Sequence, residues 1–121
     1  MIDRETIKRK YWGRCAYCGC ELLDKPFHID HMKPLMRGCS GSDAEGAGDD
    51  SSDNLVPACP RCNLRKSILS VEGFREEIAA QSKRLLRDSA AFRLAVDYGI
   101  VGIFDNPVVF WFEVCKEDYA T

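Results

Sequence analysis

The spacing of apolar residues in the first half of the chain predicts short helices and strands. Residues 3–12 are rich in basic side chains and begin with Asp3, a suitable N-cap, so a short basic helix is predicted there. Two apolar stretches separated by a turn predict a β-hairpin over 21–32. Helical spacing returns over 62–69. The predicted order is therefore strand, strand, helix.

The second half of the chain has a longer apolar periodicity. Between 71 and about 97, apolar residues fall four or seven positions apart, which predicts one or two amphipathic helices. A break is predicted near Asp88 and Ser89. The dense apolar and aromatic run 108–114 is predicted to be one buried strand.

Length and charge are those of a single small globular domain. The 121 residues predict one domain, 1–121, with a core at about 10–70 and a helical and strand extension over 71–121. The net charge of −2 conceals a segregation, because residues 38–53 carry five acidic and no basic side chains. This segment is also rich in glycine and serine and is predicted to be an exposed loop. The rest of the chain is net positive, so a local basic face for nucleic acid remains compatible with the acidic pI.

Nothing in the sequence indicates a membrane protein. No apolar run approaches the length of a membrane span, and the first ten residues are charged rather than a secretory apolar segment. A cytoplasmic protein with no membrane partner is therefore expected.

Two cysteine pairs are the first indication of chemistry. Cys15 and Cys18 form one CxxC pair, and Cys59 and Cys62 form a second. Two such turns complete a tetrahedral site of four sulfurs, which favours structural zinc. A redox role for one pair would need a βαβ context that is missing, whereas Cys20 remains an alternative ligand.

The separation between the two pairs is unusually large. Forty residues lie between Cys18 and Cys59, against roughly 15–20 in a common zinc ribbon. The insert contains Asp30 and His31 on a predicted strand, and Asn63 follows the second pair. Because zinc would fix both ends of the insert, these three side chains are predicted to converge without being zinc ligands.

The order of these residues resembles that of the HNH endonuclease family, whose fold is called ββα-metal. The family pattern is a CxxC pair, Asp-His on a strand, Asn-Leu before a second CxxC pair, then His or Asn, and Lys three residues later. This chain supplies Cys15 and Cys18, Asp30 and His31, Asn54 and Leu55, Cys59 and Cys62, Asn63 and Lys66. The resemblance covers about residues 10–70. Asn63 stands where many members have a third histidine, although asparagine also occurs there, including among Holliday-junction resolvases of this type.

The resemblance implies a fold and a set of roles. The fold is α+β, a ββα-metal (HNH/His-Me finger) core with a structural zinc, flanked by an N-terminal helix and by C-terminal helices plus one strand. His31 would act as general base, which suits an imidazole of pKa near 6.5. Asp30 and Asn63 would supply oxygen ligands for a catalytic Mg²⁺ or Mn²⁺. Asn54 would tie the loop back to the hairpin and orient His31, and His28 would be a further metal-shell or phosphate-contact group.

The predicted function is a metal-dependent DNA endonuclease that hydrolyses phosphodiester bonds. A monomer would nick one strand, and a homodimer would be able to cut both. Two alternatives stay open: a non-catalytic zinc-ribbon module for DNA binding or assembly, and a nuclease of the same fold that acts on RNA or branched DNA. Phosphate contacts are predicted for six basic residues, namely Arg61, Arg65, Lys66, Lys8, Arg9 and Lys10.

Overall fold

The computed structural model describes residues 3–35 and 48–115. The chain divides into two compact units, one formed by the described residues of Met1–Val71 and Val109–Thr121, the other by Glu72–Val108. Most of the predicted acidic loop, residues 38–47, lies outside the described residues. In the part of the chain that is described, no helix is both long and apolar enough to cross a membrane.

The N-terminal helix is shorter than predicted. Helix α1 spans Arg4–Lys8, and the Asp3 side chain caps it by accepting from the Glu5 backbone N–H at 3.1 Å. A 3₁₀ turn over Lys10–Gly13 follows. The N-cap prediction is confirmed, but the helix ends four residues early because Tyr11 and Trp12 adopt left-handed backbone conformations.

The sheet of the first unit has two antiparallel strands. Strand β1 spans His28–His31 and pairs with β2, Leu55–Ala58, so that His31 lies opposite Leu55. The predicted hairpin over 21–32 is therefore wrong, because β1 pairs with β2, which follows it after a long loop, rather than with 21–23. Glu21 instead makes an isolated bridge with Arg14.

Helix α2 follows β2 directly and spans Pro60–Lys66. Pro60 occupies its first turn, and the Cys59 thiol at its N-cap accepts from the Cys62 backbone N–H at 3.4 Å. The order β1, β2, α2 is compatible with a ββα core. An ordinary amphipathic helix buries its apolar side chains, whereas α2 exposes Leu64 and buries Lys66 completely.

The C-terminal segment returns to the first unit as a helix. Helix α6 spans Trp111–Cys115, so the predicted strand over 108–114 is wrong. Its first two residues donate backbone hydrogen bonds to the carbonyls of Tyr17 (3.0 Å) and Ala16 (2.8 Å). Phe110 meets the Tyr17 ring edge-on at a centroid distance of 5.5 Å. Aromatic packing around the first cysteine pair thus takes the place of a strand.

The second unit is built from three short helices. Helix α3 spans Val71–Ala79, α4 spans Gln81–Asp88 and α5 spans Ala90–Asp97. The predicted break near Asp88 and Ser89 is confirmed, and the Ser89 hydroxyl caps α5 by accepting from the Phe92 backbone N–H.

Candidate functional site

Four cysteines from the two CxxC turns form a tight cluster. The sulfur atoms of Cys15, Cys18, Cys59 and Cys62 all lie within 4.8 Å of one another. The Cys18 and Cys59 sulfurs are 3.8 Å apart. A tetrahedral zinc with Zn–S bonds of about 2.3 Å requires sulfur separations of about 3.8 Å, so the cluster fits this ion. The four cysteines could therefore hold zinc.

Local sequence explains how the two turns face each other. Gly19 follows the first pair with a φ of 81°, and its backbone N–H closes the turn on the Cys15 carbonyl at 3.0 Å. A Cβ at this position would lie 3.4 Å from the Trp111 ring, so glycine also permits close packing. The second turn is the start of α2.

The ionisation of the four thiols is compatible with a bound cation. A hydrogen bond to Cys15, together with burial, raises the pKa of the Cys62 thiol, and burial raises that of Cys18. Four adjacent thiols cannot all lose their protons without a positive charge between them, and a metal ion would supply that charge. Cys20 is not one of the four, although burial and the neighbouring Cys18 raise the pKa of its thiol to about 12.

Asp30 is buried at the centre of strand β1. Its side chain is only 7% exposed, and its Oδ2 atom accepts a 2.6 Å hydrogen bond from the Tyr17 hydroxyl. The same oxygen lies 3.1 Å from Lys66 Nζ. Burial, reinforced by the Asp30 charge, raises the pKa of Tyr17, so its hydroxyl stays a neutral donor.

Lys66 links α2 to β1. Its ammonium is fully buried and donates to the His31 carbonyl at 2.9 Å in addition to pairing with Asp30. The prediction that Lys66 contacts phosphate must therefore be corrected, because its only charged atom faces the interior. Neither Lys66 nor Tyr17 was predicted as a partner of Asp30. The one usable signal for Tyr17 was its position inside the first CxxC pair.

The Asp30–Lys66 pair supports a stability prediction. Lys66→Met should lower the free energy of unfolding by about 3–5 kcal/mol, because it leaves the buried Asp30 carboxylate without its counter-charge. Urea unfolding of the zinc-loaded protein measures this. The exposed neighbour gives the matched control, since Arg65→Met should change stability by about 0.5 kcal/mol or less. Adding Asp30→Asn to Lys66→Met should recover part of the loss. Equal effects at positions 65 and 66 would contradict a structural ion pair.

His31 contacts an acidic residue of the loop between the strands. Its Nε2 atom lies 2.7 Å from Asp50 Oδ1, and the two side chains are 27% and 69% exposed. A carboxylate that accepts this hydrogen bond requires the His31 proton on Nε2, and in a neutral imidazole the acceptor lone pair is then on Nδ1. Such an exposed pair is weak, about 0–1 kcal/mol, and opens easily. No motif predicted Asp50 as this partner.

Asn54 fastens the same loop to the end of β1. Its Oδ1 atom accepts from the Lys33 backbone N–H at 2.8 Å, and its Nδ2 atom donates to the carbonyls of Lys33 (2.9 Å) and Asp49 (2.8 Å). The Asn54 carbonyl also accepts from the Met32 backbone N–H. These bonds fix the chain immediately after His31 and immediately before Asp50.

Asn63 and His28 occupy different ends of the site. Asn63 is half-buried and stands one helical turn before Lys66, so it shares the side of α2 that faces β1. His28 is exposed and pairs with Ala58 at the far end of β1 from His31. Strand alternation puts His28 on the face of Asp30 and His31 on the opposite face.

Asp30 and Asn63 carry oxygen donors of the kind that Mg²⁺ prefers. The Asp30 carboxylate and the Asn63 amide are hard ligands. Tyr17 and Lys66 both bind Oδ2 of Asp30 and use only part of its acceptor capacity. Within residues 3–35 and 48–115, the cysteine quartet is the one group of three or more His, Cys, Asp or Glu side chains able to hold an ion. A catalytic cation at Asp30 and Asn63 would therefore complete its shell with water and phosphate oxygens.

The residues predicted to contact phosphate are of two kinds: some are exposed, and others donate hydrogen bonds within the protein. Arg9, Arg61 and Arg65 are exposed. Lys8 donates to the Leu23 carbonyl, and Lys10 donates to the carbonyls of Ser52 and Leu55. Burial accordingly lowers the pKa of Lys10. Lys8 thus ties the N-terminal segment to Leu23, and Lys10 ties it to the start of β2, which the charge pattern alone did not predict.

One comparison with known proteins gives a match. Residues 15–68 match the family model described as HNH endonuclease. No curated protein and no solved structure gives a significant match. The matched segment runs from the first cysteine of the quartet past the end of α2 and includes both strands. The resemblance predicted from the motifs is therefore confirmed by an HNH endonuclease family match over residues 15–68.

Proposed function

We propose that this protein is a metal-dependent endonuclease that hydrolyses phosphodiester bonds in DNA. The HNH domain indicates nuclease-type activity in general, and HNH nucleases act on DNA with divalent metals. The observation that carries the proposal is the link from α2 to β1 through Lys66. It bonds the helix that contains Asn63 to the two residues Asp30 and His31. A base and two oxygen donors on adjacent elements are what this hydrolysis requires.

The half-buried imidazole of His31 is the proposed general base. A phosphodiester is attacked by hydroxide, so a neutral imidazole that removes a proton from water accelerates the reaction. Asp50 is exposed and weakly held, and an incoming phosphate would compete with it at this position. Asn54 supports the arrangement by fixing the chain on both sides of the His31–Asp50 contact.

Asp30 and Asn63 are the proposed ligands of the catalytic cation, which would be Mg²⁺ or Mn²⁺. When bound, a divalent cation neutralises charge that develops on the phosphate oxygens and the departing oxygen. Lys66 holds the Asp30 carboxylate in place in the interior through their ion pair. Exposed Arg9, Arg61 and Arg65 would contribute phosphate contacts, which give salt-sensitive affinity without base readout. Four-cysteine zinc is proposed to hold β2 and α2 to the first turn.

A substrate panel tests the proposal. The zinc-loaded protein, dialysed free of other divalent ions, is incubated with supercoiled plasmid, linear duplex, RNA and a four-way junction. We expect plasmid relaxation on addition of Mg²⁺ or Mn²⁺ and none without it. Linear product would indicate that two active sites act together. Cleavage confined to RNA or to the junction would replace DNA duplex as the substrate, and failure on all four would favour a non-catalytic zinc module.

A further inference from the structure

The first unit contains a cleft that plays no part in the chemistry described above. Among the described residues, it is lined by Trp12, Arg14, Trp111, Val114 and Cys115 and has a volume of about 550 Å³. This lies within the range of about 300–1,000 Å³ that is usual for small-ligand sites. None of the five lining residues is acidic, and one is a permanent cation.

The backbone at one wall of the cleft is strained. Tyr11, Trp12 and Gly13 have successive φ angles of 54°, 67° and 70°. A left-handed conformation costs a bulky residue free energy, and such strain is concentrated at functional positions. Trp12, which lies in this turn, is 56% exposed, although tryptophan is usually well buried.

Hydrogen bonds and ring packing hold two other lining residues, Trp111 and Arg14, in place. The Trp111 indole N–H donates to the Tyr11 carbonyl at 2.8 Å, and its ring packs against Gly19. The Arg14 guanidinium carbon lies 5.6 Å from the centroid of the Trp111 ring, and one of its N–H groups donates to the Gly19 carbonyl. A guanidinium has five N–H donors, so this bond commits only a fraction of its capacity. The cleft thus combines two indoles with a positioned cation.

We propose that this cleft binds an unpaired nucleobase together with its phosphate. Stacking on an exposed indole needs a free π-face, which bases offer in single strands and hide inside a duplex. The Arg14 cation complements the phosphate that every nucleotide carries. The inference deepens the proposed function, on which it rests for the nature of the substrate. It assigns Trp12 and Arg14 to recognition of single-stranded or unstacked segments.

Fluorescence anisotropy with two labelled probes tests this inference. The probes are an oligothymidylate of about twelve nucleotides and a blunt duplex of the same length, both measured on the zinc-loaded His31→Ala protein so that cleavage does not interfere. We expect Trp12→Ala to weaken single-strand binding about 5- to 100-fold while duplex binding changes by less than about twofold. Trp12→Phe, which keeps an aromatic face, should retain single-strand affinity within about threefold.

A second variant keeps the test independent of the strained turn. Arg14→Gln should also weaken single-strand binding and reduce the slope of log affinity against log salt by about one. Equal losses on both probes, equal losses for Trp12→Ala and Trp12→Phe, or no single-strand binding by the parent would each overturn the inference. Because the readout is binding, failure of the wild-type protein to cleave DNA would refute the proposed function and leave this result unaffected.

Discussion

Replacing His31 with alanine is expected to lower metal-dependent DNA cleavage by about 10²- to 10⁴-fold while the fold and bound zinc are retained. This range is the usual contribution of a positioned general base. The variant removes the imidazole that is proposed to take the proton from water. It leaves the bond from Lys66 intact, because that bond is made to the His31 backbone carbonyl, which alanine also has. The measurement is the initial rate of plasmid relaxation in Mg²⁺.

The chain provides its own control for this variant. His28 is the only other histidine, and it occupies the far end of β1 on the opposite strand face. His28→Ala should therefore keep far more activity than His31→Ala, with unchanged zinc content in both. Unchanged cleavage by His31→Ala would rule out the proposed base. Equal losses at 28 and 31 would show that the strand, rather than one imidazole, is required.

The cysteine turns were predictable because their signal is local. Each CxxC pair sets its own turn, with Gly19 after the first and Pro60 within the second, and the second turn is itself the start of helix α2. The pairing of β1 was not predictable in the same way. Periodicity identifies a strand but not its partner, and the nearest apolar segment, 21–23, is used for a bridge rather than a ladder.

Burial of Lys66 shows why part of the site escaped sequence analysis. A lysine on a helix beside exposed arginines is normally solvated, and fully buried lysines occur almost only in pairs. The pairing here joins α2 to β1 and cannot be inferred before both elements are placed. Asp30, His31 and Asn63 are proposed as site residues from their order in the sequence. Their supporting residues Tyr17 and Asp50 depend on tertiary contacts.

The strand predicted for residues 108–114 is wrong for a related reason. Residues 108–114 are apolar and aromatic enough for a strand, yet no strand edge accepts them in the described structure. Their backbone instead bonds to Ala16 and Tyr17, and Phe110 packs on the Tyr17 ring. Tertiary packing of aromatic side chains overrode the local β propensity.

Loss of one cysteine of the quartet is expected to have the largest effect on stability. Cys59→Ser should abolish stable zinc binding and unfold the β1–β2–α2 region at temperatures where the wild-type protein is folded. Cys59 is buried and caps α2, and its Sγ atom lies 3.8 Å from the Sγ atom of Cys18. Structural zinc contributes about 10–16 kcal/mol of binding free energy in zinc-finger peptides. That exceeds the total stability of many small domains, about 5–15 kcal/mol.

Cys20→Ala is the matched control for Cys59→Ser, because this thiol adjoins the quartet without belonging to it. Native mass spectrometry should find one zinc per chain in the wild-type and Cys20→Ala proteins and none in Cys59→Ser. The wild-type and Cys20→Ala proteins should unfold at similar temperatures, and Cys59→Ser at a lower one. Chelation of zinc from the wild-type protein should reproduce the Cys59→Ser result. If Cys20→Ala lost its zinc while Cys59→Ser kept it, the ligand set would have to be revised. If both kept a folded, zinc-free structure, aromatic packing around Tyr17 would be sufficient to hold the first unit together.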